Sequence, residues 1–298
     1  MQGITVFDFD QSVTAQPAFL QRFNTRLTIK SMMPFQRLAR LWCSVGNFKK
    51  TSAAMQLKSP NQFSLLGSGD YHHLTLALLQ QHQAPFTLVL FDNHPDWMRP
   101  PHQYHCGSWI YTAARLPQVE RIVIIGLENG DLAGKKFLAG DVESYHKQKI
   151  VLLPYSAVEA QVNQEKDAQQ QTVRLESKLK QNLTAGIQEI LAAITTMQVY
   201  ISIDKDCLRS EDAITNWEQG TLPLETVLAS IKAIGEAHQI IGADTVGDYS
   251  PPVFTSPLKW IGSWLDRPAD AWRMSAQANA NAVNGSTNIK LANALGFV

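Results

Sequence analysis

Short apolar segments rich in β-branched residues recur along the chain, and several of them end abruptly at Asp or Gly. Their apolar positions are continuous and do not alternate with polar ones, which is typical of strands buried on both faces of a parallel sheet. We therefore predict strands at residues 4–10, 63–70, 86–92, 121–127, 149–154, 199–204 and 239–246.

The residues between these segments often have helical periodicity, and the resulting alternation of strands and helices predicts an α/β fold with right-handed crossovers. The predicted helices span residues 72–83, 171–196 and 224–238. Residues 11–60 are interpreted as helices packed on one sheet edge, and the polar, Gln-rich residues 156–182 as an exposed loop that leads into a helix. No internal repeat or long linker divides the chain, so we expect one domain over residues 1–298.

Acidic side chains and a histidine follow two of the predicted strands, at the edge where open parallel sheets bind ligands. Asp92, His94 and Asp96 come after LVLF, and Asp204 and Asp206 come after VYIS. Spacings of two residues can aim such side chains into one pocket. Carboxylates gathered in one crevice repel each other unless cations neutralise them. The pattern therefore predicts two divalent ions with carboxylate and imidazole ligands, a set that suits Mn, Fe, Co, Ni or Zn and favours Mn.

A glycine turn at residues 67–73, with the sequence GSGDYHH, follows a third predicted strand. It brings His72 and His73 to the same edge, where one of them is expected to bind metal while the other caps or packs. The turn lacks the G-x-G-x-x-G and G-K-[ST] patterns of phosphate loops. Each acidic motif alone is more often a capped or solvated loop, but their joint position at three strand ends favours a metal site.

Composition narrows the class of protein further. Lys and Arg total 26, as do Asp and Glu, so no net charge attracts the chain to nucleic acid or to an anionic membrane. Three cysteines without a CxxC pair favour a reducing compartment. No secretory signal and no run of 18 apolar residues is found. We expect a cytoplasmic protein that acts on a small molecule.

In order and spacing, LGSGDYHH, FDNHPDW and SIDKD resemble the motifs of the arginase/agmatinase (ureohydrolase) superfamily. That superfamily carries a GGDHS-like turn, then D-A-H-x-D and S-x-D-x-D, each at a strand end. The resemblance covers roughly residues 63–251. It implies a three-layer α/β/α fold with a mainly parallel sheet and a binuclear manganese centre. Members often form trimers or hexamers, which leaves a homo-oligomer open for this chain.

The resemblance also implies a ligand set in which Asp92 and Asp204 bridge the two ions. One ion would be held by His72, Asp92, Asp96 and Asp204, and the other by Asp92, His94, Asp204 and Asp206. In this family a hydroxide between the ions attacks a guanidinium or amidine carbon, and a C–N bond breaks. Asp96 would orient that hydroxide. Two cations lower the pKa of bound water and stabilise the charge of the tetrahedral intermediate.

Two departures from the family pattern concern catalysis and substrate. The turn whose histidine shuttles protons is HCGS here, so an ungapped alignment puts Cys106 at that position and His105, our predicted acid/base, one step away. The glutamate that grips a guanidinium is replaced by Gly247, and Asp248 is the candidate substitute. Charge-assisted bidentate pairs are the strong ones. We therefore expect a substrate other than arginine.

Residues that follow the metal motifs would form the rim of the pocket. Trp217, like Trp97, could stack on a flat or cationic group. Arg209 could bind a carboxylate, as could Arg99, and Asn216 is a further substrate-binding candidate. Loop arginines and buried tryptophans are commonplace, so the alternative for each is a role in packing alone.

Three functional hypotheses follow. The leading one is a binuclear manganese-dependent hydrolase that cleaves a linear, non-peptide C–N bond in a guanidino or amidino compound. The second is an amide deacetylase on the same scaffold, an activity that typically uses one zinc. The third is a non-catalytic homologue that binds only metal or ligand, which the replaced glutamate and the displaced histidine keep open.

Overall fold

The computed structural model describes residues 1–100, 103–133, 135–163, 170–254, 256–266 and 277–297. Its strands are β1 (Ile4–Asp8), β2 (Leu27–Ser31), β3 (Trp42–Cys43), β4 (Phe63–Gly67), β5 (Phe86–Phe91), β6 (Tyr104–His105), β7 (Val119–Ile125), β8 (Ile150–Leu153), β9 (Val158–Asn163), β10 (Gln170–Leu175), β11 (Gln198–Asp204) and β12 (Gln239–Val246). Its α-helices are α1 (Pro17–Phe23), α2 (Gln36–Ala39), α3 (Val45–Ala54), α4 (Thr75–Leu79), α5 (Trp109–Ala113), α6 (Lys135–Ala139), α7 (Val142–His146), α8 (Leu183–Ala193), α9 (Leu224–Ala237), α10 (Pro257–Asp266) and α11 (Gln277–Ala294). No helix within these ranges is long and apolar enough to cross a membrane.

The central sheet of the described residues has eight strands in the order β2-β1-β4-β12-β11-β5-β7-β8. All of its neighbouring strands run parallel. The α/β class and the parallel sheet are confirmed, and each apolar segment predicted as a strand contributes one. Because β4, β12, β11 and β5 are neighbours, their carboxyl ends and the loops that follow them meet at one edge.

Both faces of the sheet are buried, as the continuous apolar segments predicted. Along β5, Leu88 and Leu90 face one core, whereas Val89 and Phe91 face the other. Helices α1, α8, α9 and α11 cover the Phe91 side, and α3 to α6 cover the Leu88 side. Burial of such side chains stabilises the fold by about 1.5–3 kcal/mol each. The chain therefore has the three layers expected of an α/β/α fold.

The prediction of a helix over residues 171–196 is wrong in its first part. Residues 170–175 form β10, which pairs antiparallel with β9, so part of the loop predicted at 156–182 is a strand pair. Residues 164–169 lie outside the described residues. Helix α8 begins only after Asn182, whose side chain accepts a hydrogen bond from the amide of Ala185 (3.0 Å). Such a cap is a strong start signal, and it fixes the boundary that periodicity alone missed.

The segment 11–60 contains the expected helices α1 to α3, but it also provides the edge strand β2, which pairs with β1. Most of β2 is partly exposed, so it lacks the continuous apolar character used to predict strands. The helix predicted at 72–83 begins as a 3₁₀ turn over Gly69–Leu74 and continues as the short α4. Helix α9 agrees with its predicted range to within one residue.

Candidate metal centre

Three chain segments bring the predicted ligands to the carboxyl edge of the sheet. The loop after β5 carries Asp92, His94 and Asp96, and the amide of His94 donates to Asp92 Oδ1 (2.7 Å). Asp204 ends β11, and its Oδ1 accepts a hydrogen bond from the amide of Asp206 (3.1 Å) in the 3₁₀ turn that follows. The third segment is the 3₁₀ turn after β4. These local hydrogen bonds fix the backbone of both acidic loops.

The first group of ligands surrounds His72. Its Nδ1 lies 3.3 Å from Asp92 Oδ2, 3.2 Å from Asp96 Oδ2 and 3.5 Å from Asp204 Oδ2. Ligand atoms of His72, Asp92 and Asp204 all lie within 4.8 Å of one another, close enough to hold one ion. Asp96 Oδ2 also accepts a hydrogen bond from the indole of Trp109 (2.8 Å).

The second group shares Asp92 with the first. His94 Nδ1 lies 3.0 Å from Asp206 Oδ2 and 3.7 Å from Asp92 Oδ1, and the three residues again bring ligand atoms within 4.8 Å of one another. Asp92 therefore offers one oxygen to each group, as a bridging ligand must. Asp204 belongs to the first group only, so its bridging role stays a prediction.

Unsatisfied buried atoms indicate that these residues fit metal ions. His72 and Asp92 are each 1% exposed, and His72 Nδ1 lies 3.3 Å from Asp92 Oδ2, yet neither atom has a partner in hydrogen-bond geometry among the described residues. An unsatisfied buried polar group costs about 1–3 kcal/mol. Divalent ions of the Mn and Zn type bind this mixture of imidazole and carboxylate, so ions between these atoms would satisfy both.

The electrostatics of the metal-free cluster lead to the same conclusion. Burial and the neighbouring carboxylates of Asp206 and Asp92 raise the pKa of Asp204 well above its usual range. Burial and Asp92 likewise raise the pKa of Asp96 to about 7. Although burial opposes a charged imidazole, Asp92 and Asp96 raise the pKa of His72 well above 6.5. Without cations the cluster therefore retains protons, which metal binding would displace.

The structure also distinguishes the two histidines of the glycine turn. His72 Nε2 lies 3.1 Å from Ser202 Oγ, which donates to Asp244 Oδ1 (2.9 Å). This contact holds the ring by one nitrogen and turns the other towards the carboxylates. His73 instead lies 3.6 Å from the sulfur of Cys43, and burial lowers its pKa well below 6.5. His72 is thus the histidine that reaches the cluster.

A cavity of about 590 Å³ opens above the carboxylates. Further residues that contribute to its wall are Trp97, His105, Cys106, Asn129, Asp131, Lys136, Trp217 and Glu218. His105 Nδ1 accepts a hydrogen bond from the amide of Gly107 (2.9 Å), and burial lowers its pKa to about 4. Both candidates for the proton-shuttle position, His105 and Cys106, therefore line the cavity.

Of the four predicted substrate-binding residues, only Trp217 lines this cavity among the described residues. Arg209 lies on the outer surface, where its guanidinium contacts Asp212 (2.7 Å) and Glu225 (3.1 Å). Asn216 is buried, and its Oδ1 accepts a hydrogen bond from the amide of Ser250 (2.8 Å). These contacts give Arg209 and Asn216 structural partners away from the cavity.

The fourth, Asp248, is 1% exposed and lies outside the cavity wall. Its carboxylate accepts hydrogen bonds from Lys205 Nζ (2.8 Å), Gln16 Nε2 (2.7 Å) and Asn288 Nδ2 (3.2 Å). This placement contradicts the expectation that Asp248 replaces the missing glutamate. Lys205 lies between the two acids of SIDKD and is not part of the predicted site, although a lysine beside a buried strand end needs a counter-charge.

Gly247, at the position of the missing glutamate, lies against a predicted ligand. Its φ is +89°, and a Cβ there would lie 2.5 Å from Asp204 Oδ1. A side chain at this position would displace the ligand unless the backbone moved. A glutamate at this position would therefore need a backbone conformation different from the one found here.

Comparison with known proteins agrees with the fold and the motifs. Residues 44–256 match the sequence pattern of the arginase family, and the chain belongs to that family. It is 29% identical over 191 residues to an uncharacterized protein of Thermotoga maritima, a match that covers 64% of this chain and 60% of that relative's length.

Solved structures support the arginase-like fold. The chain resembles an arginase from Bacillus cereus with a TM-score of 0.57 and 16% identity, covering 99% of this chain and 98% of that one. A hypothetical agmatinase from Burkholderia thailandensis gives a TM-score of 0.56 and 15% identity, and the match covers 98% of this chain and 85% of that one. A formimidoylglutamase from Bacillus subtilis gives a TM-score of 0.52 and 14% identity, and the match covers 96% of this chain and 87% of that one. At such identities the likeness establishes the fold alone.

Proposed function

We propose that the chain is a hydrolase that uses two divalent ions, most simply Mn²⁺, to cleave a linear, non-peptide C–N bond in a guanidino or amidino compound. The carrying observation is the pair of ligand groups that share Asp92, together with the unsatisfied His72 Nδ1 and Asp92 Oδ2. Membership of the arginase family supports the same class of reaction. When bound, two such ions supply an acidified water and a positive field for developing negative charge.

Asp96 is the proposed proton acceptor. Its backbone has a φ of +46°, a left-handed conformation that Asp adopts more readily than most residues. Trp109 holds its Oδ2, which leaves Oδ1 to accept a proton from the attacking water. Burial and Asp92 raise the pKa of Asp96 to about 7 only in the metal-free protein, and bound cations would lower it, so the role is proposed on the position of Asp96 in the cavity wall.

His105 is proposed to orient the substrate. With a pKa of about 4 the imidazole is neutral at pH 7. Because Nδ1 accepts the amide hydrogen of Gly107, Nε2 is the nitrogen that bears the proton. That nitrogen can donate a hydrogen bond to the substrate, but a neutral imidazole is a poor source of a full proton. The acid/base role predicted from the sequence is therefore narrowed to positioning.

The substrate is proposed to be a guanidino or amidino compound other than arginine. Gly247 offers no carboxylate, and Asp248 is neutralised by Lys205, so neither can grip a guanidinium with two charge-assisted hydrogen bonds. The sharing of Asp92 favours a binuclear site over the single zinc of the alternative amide deacetylase.

Product analysis tests this proposal. Manganese-loaded protein is incubated with guanidines, amidines and N-acetyl amines, and release of urea, ammonia and acetate is measured. We expect urea or ammonia from a guanidine or amidine, and a loss of about 10²-fold or more in Asp96→Asn. Glu143→Gln, an exposed glutamate paired with Lys147, is the control and should retain full activity. Acetate as the sole product, or no product from the entire panel, would reject the proposal.

A further inference from the structure

The indole of Trp217 lies in the cavity wall beside one of the candidate metal ligands. A Cβ at Gly69 would lie 3.1 Å from Trp217 Cδ1 and 2.9 Å from Asp204 Oδ2, so the indole edge and this carboxylate both pack on the same glycine. The centroid of the Trp217 ring is 6.2 Å from that of His94. A substrate whose reacting carbon lies at the metal ligands would therefore have this indole within reach.

Glu218, the next residue, is anchored by its backbone to the loop that carries Asp92. Its carbonyl oxygen accepts a hydrogen bond from Asn93 Nδ2 (3.0 Å), and Asn93 is 1% exposed. Glu218 is exposed and is one of the residues that line the cavity. Among the described residues, its carboxylate has no hydrogen bond or ion pair. Glu218 therefore presents an uncompensated negative charge beside the indole.

The rest of the described cavity wall does not offer a comparable positive charge. Lys136 is the single Lys or Arg among the described lining residues, and its Nζ already contacts Asp131 Oδ1 (3.1 Å). The other oxygen of Asp131 accepts a hydrogen bond from Asn129 (2.9 Å). With two divalent ions balancing the four predicted ligand aspartates, the two wall carboxylates exceed the one ammonium. Such a cavity attracts cationic groups and repels anionic ones.

From this arrangement we propose that Trp217 and Glu218 form a subsite for a distal ammonium group, and that this subsite selects ω-guanidino or ω-amidino amines over the corresponding acids. The inference rests on the proposed function. An ammonium there would lie beside an indole and a carboxylate, both of which attract cations. A carboxylate in the same position would face Glu218 and would have to draw Lys136 away from Asp131.

Matched substrates test the subsite. For manganese-loaded full-length protein, kcat/KM is measured for guanidinoalkylamines and for guanidinoalkanoic acids of equal chain length. We expect the amines to be preferred by roughly tenfold or more, with the preference shrinking as salt is added. Glu218→Gln should lower kcat/KM for the amines roughly fivefold, mainly through KM, and leave the acids unchanged or improved. Glu218→Lys should reverse the preference.

Glu211→Gln is the matched control, because Glu211 is an exposed glutamate of the same loop that does not line the cavity. It should leave the ratio unchanged. Equal kcat/KM for amines and acids, or an acid preference that Lys136→Gln abolishes, would overturn the inference. If wild-type protein hydrolyses neither series and no amidine, the proposed function fails, and calorimetric binding of the same compounds decides the inference separately. Amine binding that weakens in Glu218→Gln would support it, and the absence of any amine preference would reject it.

Discussion

Two groups of buried charges lie on either side of the SIDKD turn, and they are neutralised in different ways. On one side Asp204 and Asp206 join the cluster that includes unsatisfied atoms of His72 and Asp92. On the other side Lys205 Nζ contacts the buried Asp248 at 2.8 Å. Gln16 and Asn288 complete that second group, and the two also bond to each other (2.9 Å).

The difference separates a site from a structural support. Where the protein supplies its own counter-charge and hydrogen bonds, as around Asp248, a buried carboxylate has no capacity left for a ligand. Where buried donors and acceptors remain unsatisfied, as at His72 and Asp92, an external cation can bind. Exposure and charge alone do not separate Asp248 from Asp92, since both are 1% exposed. The two carboxylates differ in the partners that surround them.

Removal of Asp92 and Asp204, the two predicted bridging ligands, should have the largest effect on this contrast. For Asp92→Ala combined with Asp204→Ala, we expect metal content after manganese loading to fall from two ions per chain to none, with activity lost to background. Elemental analysis of gel-filtered protein measures the stoichiometry. Glu143→Ala should retain two ions. A wild-type content of one ion or none would contradict the binuclear centre.

Single substitutions on the two sides should change stability in opposite directions in metal-free protein. Asp248→Asn leaves Lys205 buried without a counter-charge and should cost about 3–5 kcal/mol in free energy of unfolding. Asp204→Asn removes a carboxylate whose pKa burial and its neighbours Asp206 and Asp92 raise, so it should stabilise by roughly 1 kcal/mol or more at pH 8. Urea denaturation in EDTA measures both. Equal destabilisation by the two variants would refute the distinction.

The strand ends were predictable because their signal is local. Continuous apolar segments that stop at Asp or Gly mark buried parallel strands, and spacings of two residues from Asp92 and Asp204 mark the predicted ligands. The antiparallel pair β9–β10 was missed because its polar residues do not mark a buried face. Periodicity therefore extended the predicted helix back to Gln171. In the structure the helix begins only after the cap at Asn182.

The role of Asp248 could not be predicted because its partners are distant along the chain. Gln16 and Asn288 are 232 and 40 positions away, so only the folded chain brings them to this carboxylate. The position of Gly247 against Asp204 is likewise tertiary. A sequence motif can identify residues capable of chemistry, but other residues decide whether that capacity remains free.

A smaller effect is expected on the pH dependence of stability. Burial alone would lower the pKa of His72 and His94, but nearby carboxylates raise it well above 6.5. The protonated histidines therefore stabilise the metal-free fold fully below pH 6.5, and this contribution is lost as the pH rises above it. The pKa of Asp96 is about 7, above its usual 3.8, so its contribution is lost mainly between pH 3.8 and 7 and adds little above pH 6.5. Metal-free protein should therefore lose about 1–3 kcal/mol between pH 6.5 and 8.5.

Metal-loaded protein should be much less dependent on pH in this range, because ions replace the protons. The buried His73, His82 and His105 do not obscure the comparison, since lowered pKa values affect stability only below about pH 6.5. Urea denaturation at three pH values, with EDTA or with Mn²⁺, measures both slopes. Identical slopes in the two conditions would mean that the cluster does not retain protons in the absence of metal.

The smallest effect is expected at Arg209, which has the charge to bind a substrate carboxylate but lies on the outer surface. Its guanidinium already contacts Asp212 and Glu225, and it does not line the cavity among the described residues. Arg209→Gln should therefore change kcat/KM by no more than roughly twofold and leave metal content unchanged. Trp217→Leu, on the cavity wall, should instead raise KM. A large rise in KM for Arg209→Gln would mean that this arginine leaves its partners to contact substrate, so that partners in the free protein do not always identify a structural residue.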